Sequence, residues 1–176
     1  VISGYDDSEK TIIHYIPQQD QIGAIPQKQF EKLWQEDGML MILLAPPDII
    51  SKIHVENKSK EKSNRLCFVS EKLNLQAKQD EAIKSLKEAI TLDASNSTAL
   101  CLLGGIYNEK NSAECVSFYQ KSIDSNKKCY LAYRGLGNYY LKTKQYDKAE
   151  SNYSSAIEIN ENRFGPIYKN RGIVYM

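Results

Sequence analysis

The sequence predicts a mostly α chain: an α-helical solenoid of helix–turn–helix repeats over residues 63–176, preceded by a small α+β piece over 1–56. Three observations predict it. Small and aromatic residues recur at a spacing near 34 throughout the C-terminal two thirds. The N-terminal part has β-branched runs and one amphipathic segment, without that period. The clearest copy of the repeat, Tyr133–Ala156 (YRGLGNYYLKTKQYDKAESNYSSA), reads as two helices joined by a turn, with small residues where the helices must touch.

In chain order, Val1–Gly4 reads as the end of a strand and Tyr5–Glu9 as a polar turn. Lys10–Ile16 (KTIIHYI) is β-branched and aromatic, the second strand of a hairpin. Pro17–Gly23 reads as a loop. Pro26–Trp34 places Phe30, Leu33 and Trp34 on one helix face behind a helix-starting proline, and Gly38 ends that helix. Met39–Ala45 (MLMILLA), apolar throughout, reads as a strand buried on both faces. The order is therefore strand, strand, helix, strand. Asn57–Lys62 is polar and reads as a linker, or as the solvated first turn of the next helix.

This N-terminal order resembles the C-terminal half of bacteriocin-processing-type papain-like cysteine peptidases over roughly residues 1–48: GYDD, a strand, a Pro loop, QFEKLW, then an apolar strand ending in APPD. The resemblance implies a catalytic histidine and a nucleophilic cysteine upstream of Val1. It also implies an orienting aspartate before a proline on the second strand, where this chain has Ile16 before Pro17. An aliphatic side chain can neither hold an imidazole ring nor stabilise its charged form. No catalysis is expected from these residues, so the domain reads as a degenerate, catalytically incomplete one. His14 shares a strand face with Ile12 and Ile16 and reads as packed rather than catalytic.

Beyond Asn57 the repeat governs. Ser70, Gly104, Gly137 and Gly172 keep step, with Leu73, Tyr107, Tyr140 and Tyr175 three residues later. Ala82, Cys115 and Ala149 form a second series, followed by Leu86, Tyr119 and Tyr153, then Ala89, Ser122 and Ala156. A small residue on each first helix admits the second helix, and the ring or leucine fills the groove to the next pair. One pair cannot bury its apolar face alone, so pairs must stack. Asp93–Asn96 and Asn160–Asn162 supply caps between helices. The turn near Asn111 is one residue short.

This pattern resembles the tetratricopeptide repeat over 63–176, as three repeats and the first helix of a fourth, Pro166–Tyr175. The last helix has no following partner in the sequence. The chain starts Val-Ile-Ser-Gly, so it reads as a fragment or processed product, and self-association through that uncapped helix is expected.

In tetratricopeptide arrays the first helices line a concave groove. The resemblance puts Cys67, Glu71, Asn74 and Leu75 on it in the first repeat, and Cys101, Gly105, Asn108 and Glu109 in the second. In the third it puts Arg134, Asn138, Leu141 and Lys142 there. Arg134 and Asn138, with Asn170 of the next repeat, partly resemble the carboxylate clamp by which some such domains hold the C-terminal carboxylate of heat-shock chaperones. The partner-binding residues implied are Arg134, Asn138, Lys142, Asn170, Asn108 and Glu109.

The bulk properties exclude other classes. Lys plus Arg number 23 against 22 acidic residues, so no global field favours nucleic acid. The longest apolar run, Met39–Pro47, is about half a membrane span. Cys67, Cys101, Cys115 and Cys129 form no CxxC pair and have no nearby histidine, which argues against a metal site. Unpaired thiols favour a reducing compartment such as the cytoplasm; a signal peptide upstream of Val1 stays open. No cofactor is expected. The Lys- and Asn-rich composition suits a low-GC bacterium.

Two functional readings follow: a protein-interaction module binding a peptide or protein segment, or the C-terminal fragment of a cysteine peptidase whose repeats recruit substrate. A purely structural spacer is compatible with the same residues.

Overall fold

The computed structural model describes residues 2–16, 21–36, 57–159 and 165–175. The chain divides into two compact units, 1–40 and 41–176.

The first unit contains a three-stranded antiparallel sheet in the order β1-β2-β3: β1 Ile2–Asp6, β2 Thr11–Ile16 and β3 Gln21–Pro26. The register pairs Tyr5 with Ile12 and Ile12 with Ile25. The β1–β2 turn is built around Asp6, whose Oδ1 accepts from the Ser8 amide at 3.0 Å, the Ser8 hydroxyl at 2.6 Å and the Glu9 amide at 3.1 Å. Those donors hold the Asp6 carboxyl below its ordinary value, the Ser8 hydroxyl most of all. Helix α1, Gln27–Glu36, follows directly, and its first amide donates to Lys10 O at 2.9 Å.

The hairpin and the amphipathic helix match the sequence reading; β3 does not. Residues 21–23 belong to a strand where a loop was expected. Gly23 is a weak strand former, but the β-branched run of β2 offers a ladder that it joins opposite His14. Such pairing outweighs local preference. Pro26, lacking an amide hydrogen, closes the strand rather than opening the helix. The expected Gly38 stop and the 39–45 strand lie outside the described residues.

The second unit is a stack of helix pairs: α2 Lys58–Leu75 with α3 Gln79–Leu92, α4 Ser97–Glu109 with α5 Glu114–Ser125, and α6 Tyr130–Lys142 with α7 Tyr146–Ile159. Helix α8, Gly165–Val174, packs on α7. The stretch 57–62 is not a linker. Asn57 caps α2, accepting from the Lys60 amide at 2.9 Å, and residues 58–62 form its first turn. They are mostly solvated, which is why they look like linker in the sequence.

The repeat series occupy the core. Ala82, Cys115 and Ala149 are fully buried, as are Ala89, Ser122 and Ala156. Leu86, Tyr119 and Tyr153 fill the spaces between pairs. A methyl group on Gly104 would come within 2.8 Å of the Tyr119 ring, and one on Gly137 within 2.5 Å of the Tyr153 ring. A methyl group on Gly135 would press on the same Tyr119 ring still more closely, so that ring is held between α4 and α6. Gly172, at the same phase of α8, has nothing within 4 Å.

The three intra-pair turns share one closure. Ala77, Asn111 and Lys144 adopt φ of 60°, 55° and 59°. The next amide in each donates back across the turn: Lys78 N to Leu73 O, Ser112 N to Tyr107 O, and Gln145 N to Tyr140 O. The short second turn is met by a later helix start: α5 begins one residue before Cys115, whereas α3 and α7 begin three before Ala82 and Ala149.

Polar groups pin successive pairs. Ser63 Oγ donates to Ala89 O at 2.8 Å and accepts from Asn96 Nδ2 at 2.8 Å, while Asn96 Oδ1 caps α4 through the Ala99 amide. One pair later, Ser122 Oγ donates to Ser97 O at 2.8 Å. Asn160–Asn162, the other expected cap, lies outside the described residues.

Candidate binding groove

The first helices α2, α4 and α6 stand side by side, and their shared face holds a pocket of about 200 Å³. Helix α2 contributes Ser70, Glu71 and Asn74. Helix α4 contributes Cys101, Gly105 and Glu109, and α6 contributes Arg134, Gly135 and Asn138. Leu102, Ile106 and Leu131 supply apolar walls, and Tyr119 reaches in from α5. The helical periodicity explains the set: Glu71 and Asn74 are three apart, Arg134 and Asn138 four apart, so each pair shares a helix face.

Of the residues the sequence singled out, the pocket gathers Arg134, Asn138 and Glu109, with Glu71, Asn74, Cys101 and Gly105 beside them. Asn108 and Lys142 are not among its walls. Asn108 is 7% exposed; its Nδ2 donates to Gly135 O at 3.3 Å, and Lys142 Nζ donates to Asn108 O and Oδ1 at 3.3 and 3.4 Å. Together they tie α4 to α6 within the stack. Cys67 is likewise buried, and Leu75 is exposed away from the pocket. Asn170 acts through Asn138: its Nδ2 donates to Asn138 Oδ1 at 3.0 Å, and Tyr153 OH donates to the same oxygen at 2.8 Å. Three helices thus fix one amide.

Leu102, Ile106, Leu131 and Tyr119 were not foreseen as pocket residues. Their signal is apolar character one turn from a polar groove position, which the sequence alone assigns equally well to core.

Burial pushes the Tyr119 phenol well above its ordinary value, and the Tyr153 phenol up to about 12. Burial also raises the Cys67 thiol to about 12. The neighbouring thiols of Cys101 on α4 and Cys129 at the start of α6 act on each other: Cys129 raises Cys101 above its ordinary value, and Cys101 lowers Cys129. Among the described residues no group of three His, Cys, Asp or Glu side chains could hold a metal ion, and no helix is long and apolar enough to cross a membrane.

Comparison with known proteins agrees with this architecture. Residues 130–163 match the family model of the tetratricopeptide repeat. Anaphase-promoting complex subunit 3 of Schizosaccharomyces pombe is 36% identical over 98 residues, 54% of this chain but 15% of that protein. The chain thus spans a small part of that relative's length. The first tetratricopeptide domain of human RPAP3 superimposes with a TM-score of 0.63 at 19% identity, covering 66% of this chain and 91% of that one. The first such domain of Spaghetti (RPAP3), solved bound to the HSP90 peptide SRMEEVD, gives 0.62 at 21% identity over 70% of this chain and 95% of that one. The helical stack has the fold of a tetratricopeptide-repeat region.

Proposed function

We propose that the chain is a protein-interaction module that takes an extended peptide or protein segment in the groove formed by α2, α4 and α6. The observation that carries this is the pocket and its paired donors. Asn138 Oδ1 is already engaged by Tyr153 and Asn170. The amide nitrogen is what Asn138 has left to offer, and it stands on one helix face with the Arg134 guanidinium. Two adjacent donors suit a backbone carbonyl or carboxylate, and a charged donor makes the stronger bond. A domain of similar fold, solved bound to the HSP90 peptide SRMEEVD, supports this reading. The pocket is smaller than the roughly 300–1,000 Å³ of small-molecule sites, which fits one or two side chains better than a cofactor.

The test is fluorescence anisotropy with labelled peptides selected on the whole chain. Arg134→Ala and Asn138→Ala should each weaken binding at least about tenfold, about 1.4 kcal/mol. Unchanged affinity in both would remove the groove from consideration. Among the described residues nothing favours the peptidase reading, and Ile16 stands where that resemblance would put an orienting aspartate.

Self-association through α8 belongs to the same proposal. Tyr168, Ile173 and Tyr175 leave that helix with large exposed apolar surfaces, the kind of patch that other chains cover.

A further inference from the structure

We propose that the pocket takes one apolar side chain of the bound segment, leucine, isoleucine, methionine or phenylalanine, and that Gly105 is the residue that makes room for it. This rests on the groove reading above and specifies its chemistry.

The helix pairs of the stack can be compared position by position. One residue after Ser70, Gly104, Gly137 and Gly172 stand Glu71, Gly105, Asn138 and Ile173. Three of these four carry a sizeable side chain, so the repeat has no general need for glycine there. Packing does not require it either. Among the described residues, a methyl group on Gly105 would meet only the Tyr119 hydroxyl oxygen, at 3.9 Å. On the adjacent Gly104 it would come within 2.8 Å of the same ring. Gly172 also has open space, but it keeps the small-residue phase of the repeat, which Gly105 does not. Gly105 lies inside the regular helix α4, where glycine is less stable than alanine. The fold gives no reason for that cost; the pocket gives one.

Glu71 on α2 and Asn138 on α6 are the counterparts of Gly105 on the flanking helices, and all three line the pocket. The cavity of about 200 Å³ therefore includes space that a side chain at position 105 would enter. Glycine suits a wall against which a ligand must lie close to the backbone. Around that gap the walls are apolar: Leu102 and Ile106 from α4, Leu131 from α6 and the Tyr119 ring. Leu131 is the second observation. It is 40% exposed, a large apolar side chain left uncovered inside a concave site. A ligand side chain seated over Gly105 takes Leu131 and itself out of water together. A charged side chain in that place would be desolvated against Leu102, Ile106 and Leu131. The groove thus combines polar groups for the backbone of the segment with one apolar seat for a side chain.

The experiment begins with random peptides displayed against the whole chain. The expected result is enrichment of an apolar residue at one fixed position. A selected peptide with that residue changed to alanine should bind at least about tenfold more weakly. In Gly105→Leu the chain's own side chain fills the seat, so the two peptides should bind alike; this is a double-mutant cycle. Gly105→Ala, which adds one methyl group, should already narrow their ratio. Thermal melts should show Gly105→Ala folded and at least as stable as the unaltered chain. A lower melting temperature would mean that packing fixes the glycine, and would overturn its assigned role. Arg134→Ala should weaken both peptides and keep their ratio. If peptides bind with an Arg134-dependent affinity but no apolar preference, the seat is wrong and the groove stands. An apolar preference that keeps its ratio in Gly105→Leu and Gly105→Ala also overturns it. Absence of any peptide binding overturns the groove reading and this one together.

Discussion

At the scale of single residues, the glycines of this chain are contact points between helices. Gly104, Gly135 and Gly137 sit in helix interiors, where glycine is unfavourable by about 0.5–1 kcal/mol relative to alanine. They persist where a ring occupies the space of a Cβ. Gly137→Ala should accordingly destabilise the chain by about 1–3 kcal/mol, since the Tyr153 ring is packed and cannot withdraw freely. Gly172→Ala, at the equivalent position with open space, should be neutral or stabilising by up to about 1 kcal/mol. Urea melts of the two variants make the comparison; equal losses would mean that packing is not the reason for the glycine. The 34-residue spacing made Gly104 and Gly137 legible in the sequence. Gly135 was not, because it lies off that series and its contact comes from the preceding pair. The burial of Asn108 was not legible for a similar reason. Its position along the helix is a groove position, but the neighbouring helix arrives close enough to enclose it.

At the scale of the element, turns and helix starts show what local chemistry decides. Each intra-pair turn needs one residue in the left-handed region, and the chain places alanine, asparagine and lysine there. Asparagine tolerates that conformation; alanine and lysine are strained in it by about 1 kcal/mol or more. Ala77→Gly should therefore raise stability by about 1 kcal/mol, read as an increased urea midpoint with an unchanged slope. No gain would imply that Ala77 makes a contact that offsets its strain. Because these positions lack glycine, sequence reading located the turns only through the phase of the flanking helices. Strand β3 shows the opposite failure. Its residues look like a loop in isolation and become a strand because β2 is beside them.

At the scale of the whole molecule, the stack was legible because each helix pair obeys one spacing rule and the rule fixes which faces meet. The pocket was only half legible. Its polar members follow from helical phase, but its walls come from three successive first helices and one second helix, a combination that no single repeat encodes. The exposed Tyr168, Ile173 and Tyr175 on and beside α8 carry a prediction at this scale. Sedimentation should show concentration-dependent association, reduced by Ile173→Lys. A clean monomer of the unaltered chain at high concentration would dispose of self-association through this helix.

Tyr119 touches Gly104 on one side and Gly135 on the other, and it also lies on the wall of the pocket. Its ring is therefore a gauge block as well as a filler. The thickness of one phenol sets how far apart α4 and α6 stand, and that separation is the width available to whatever lies in front of them. A substitution at Gly104, which faces no ligand, would regauge the groove from behind. Natural variation at the ring and at the two glycines should then be correlated: a smaller ring in one copy of the repeat would call for larger residues on both flanking helices to keep the same aperture.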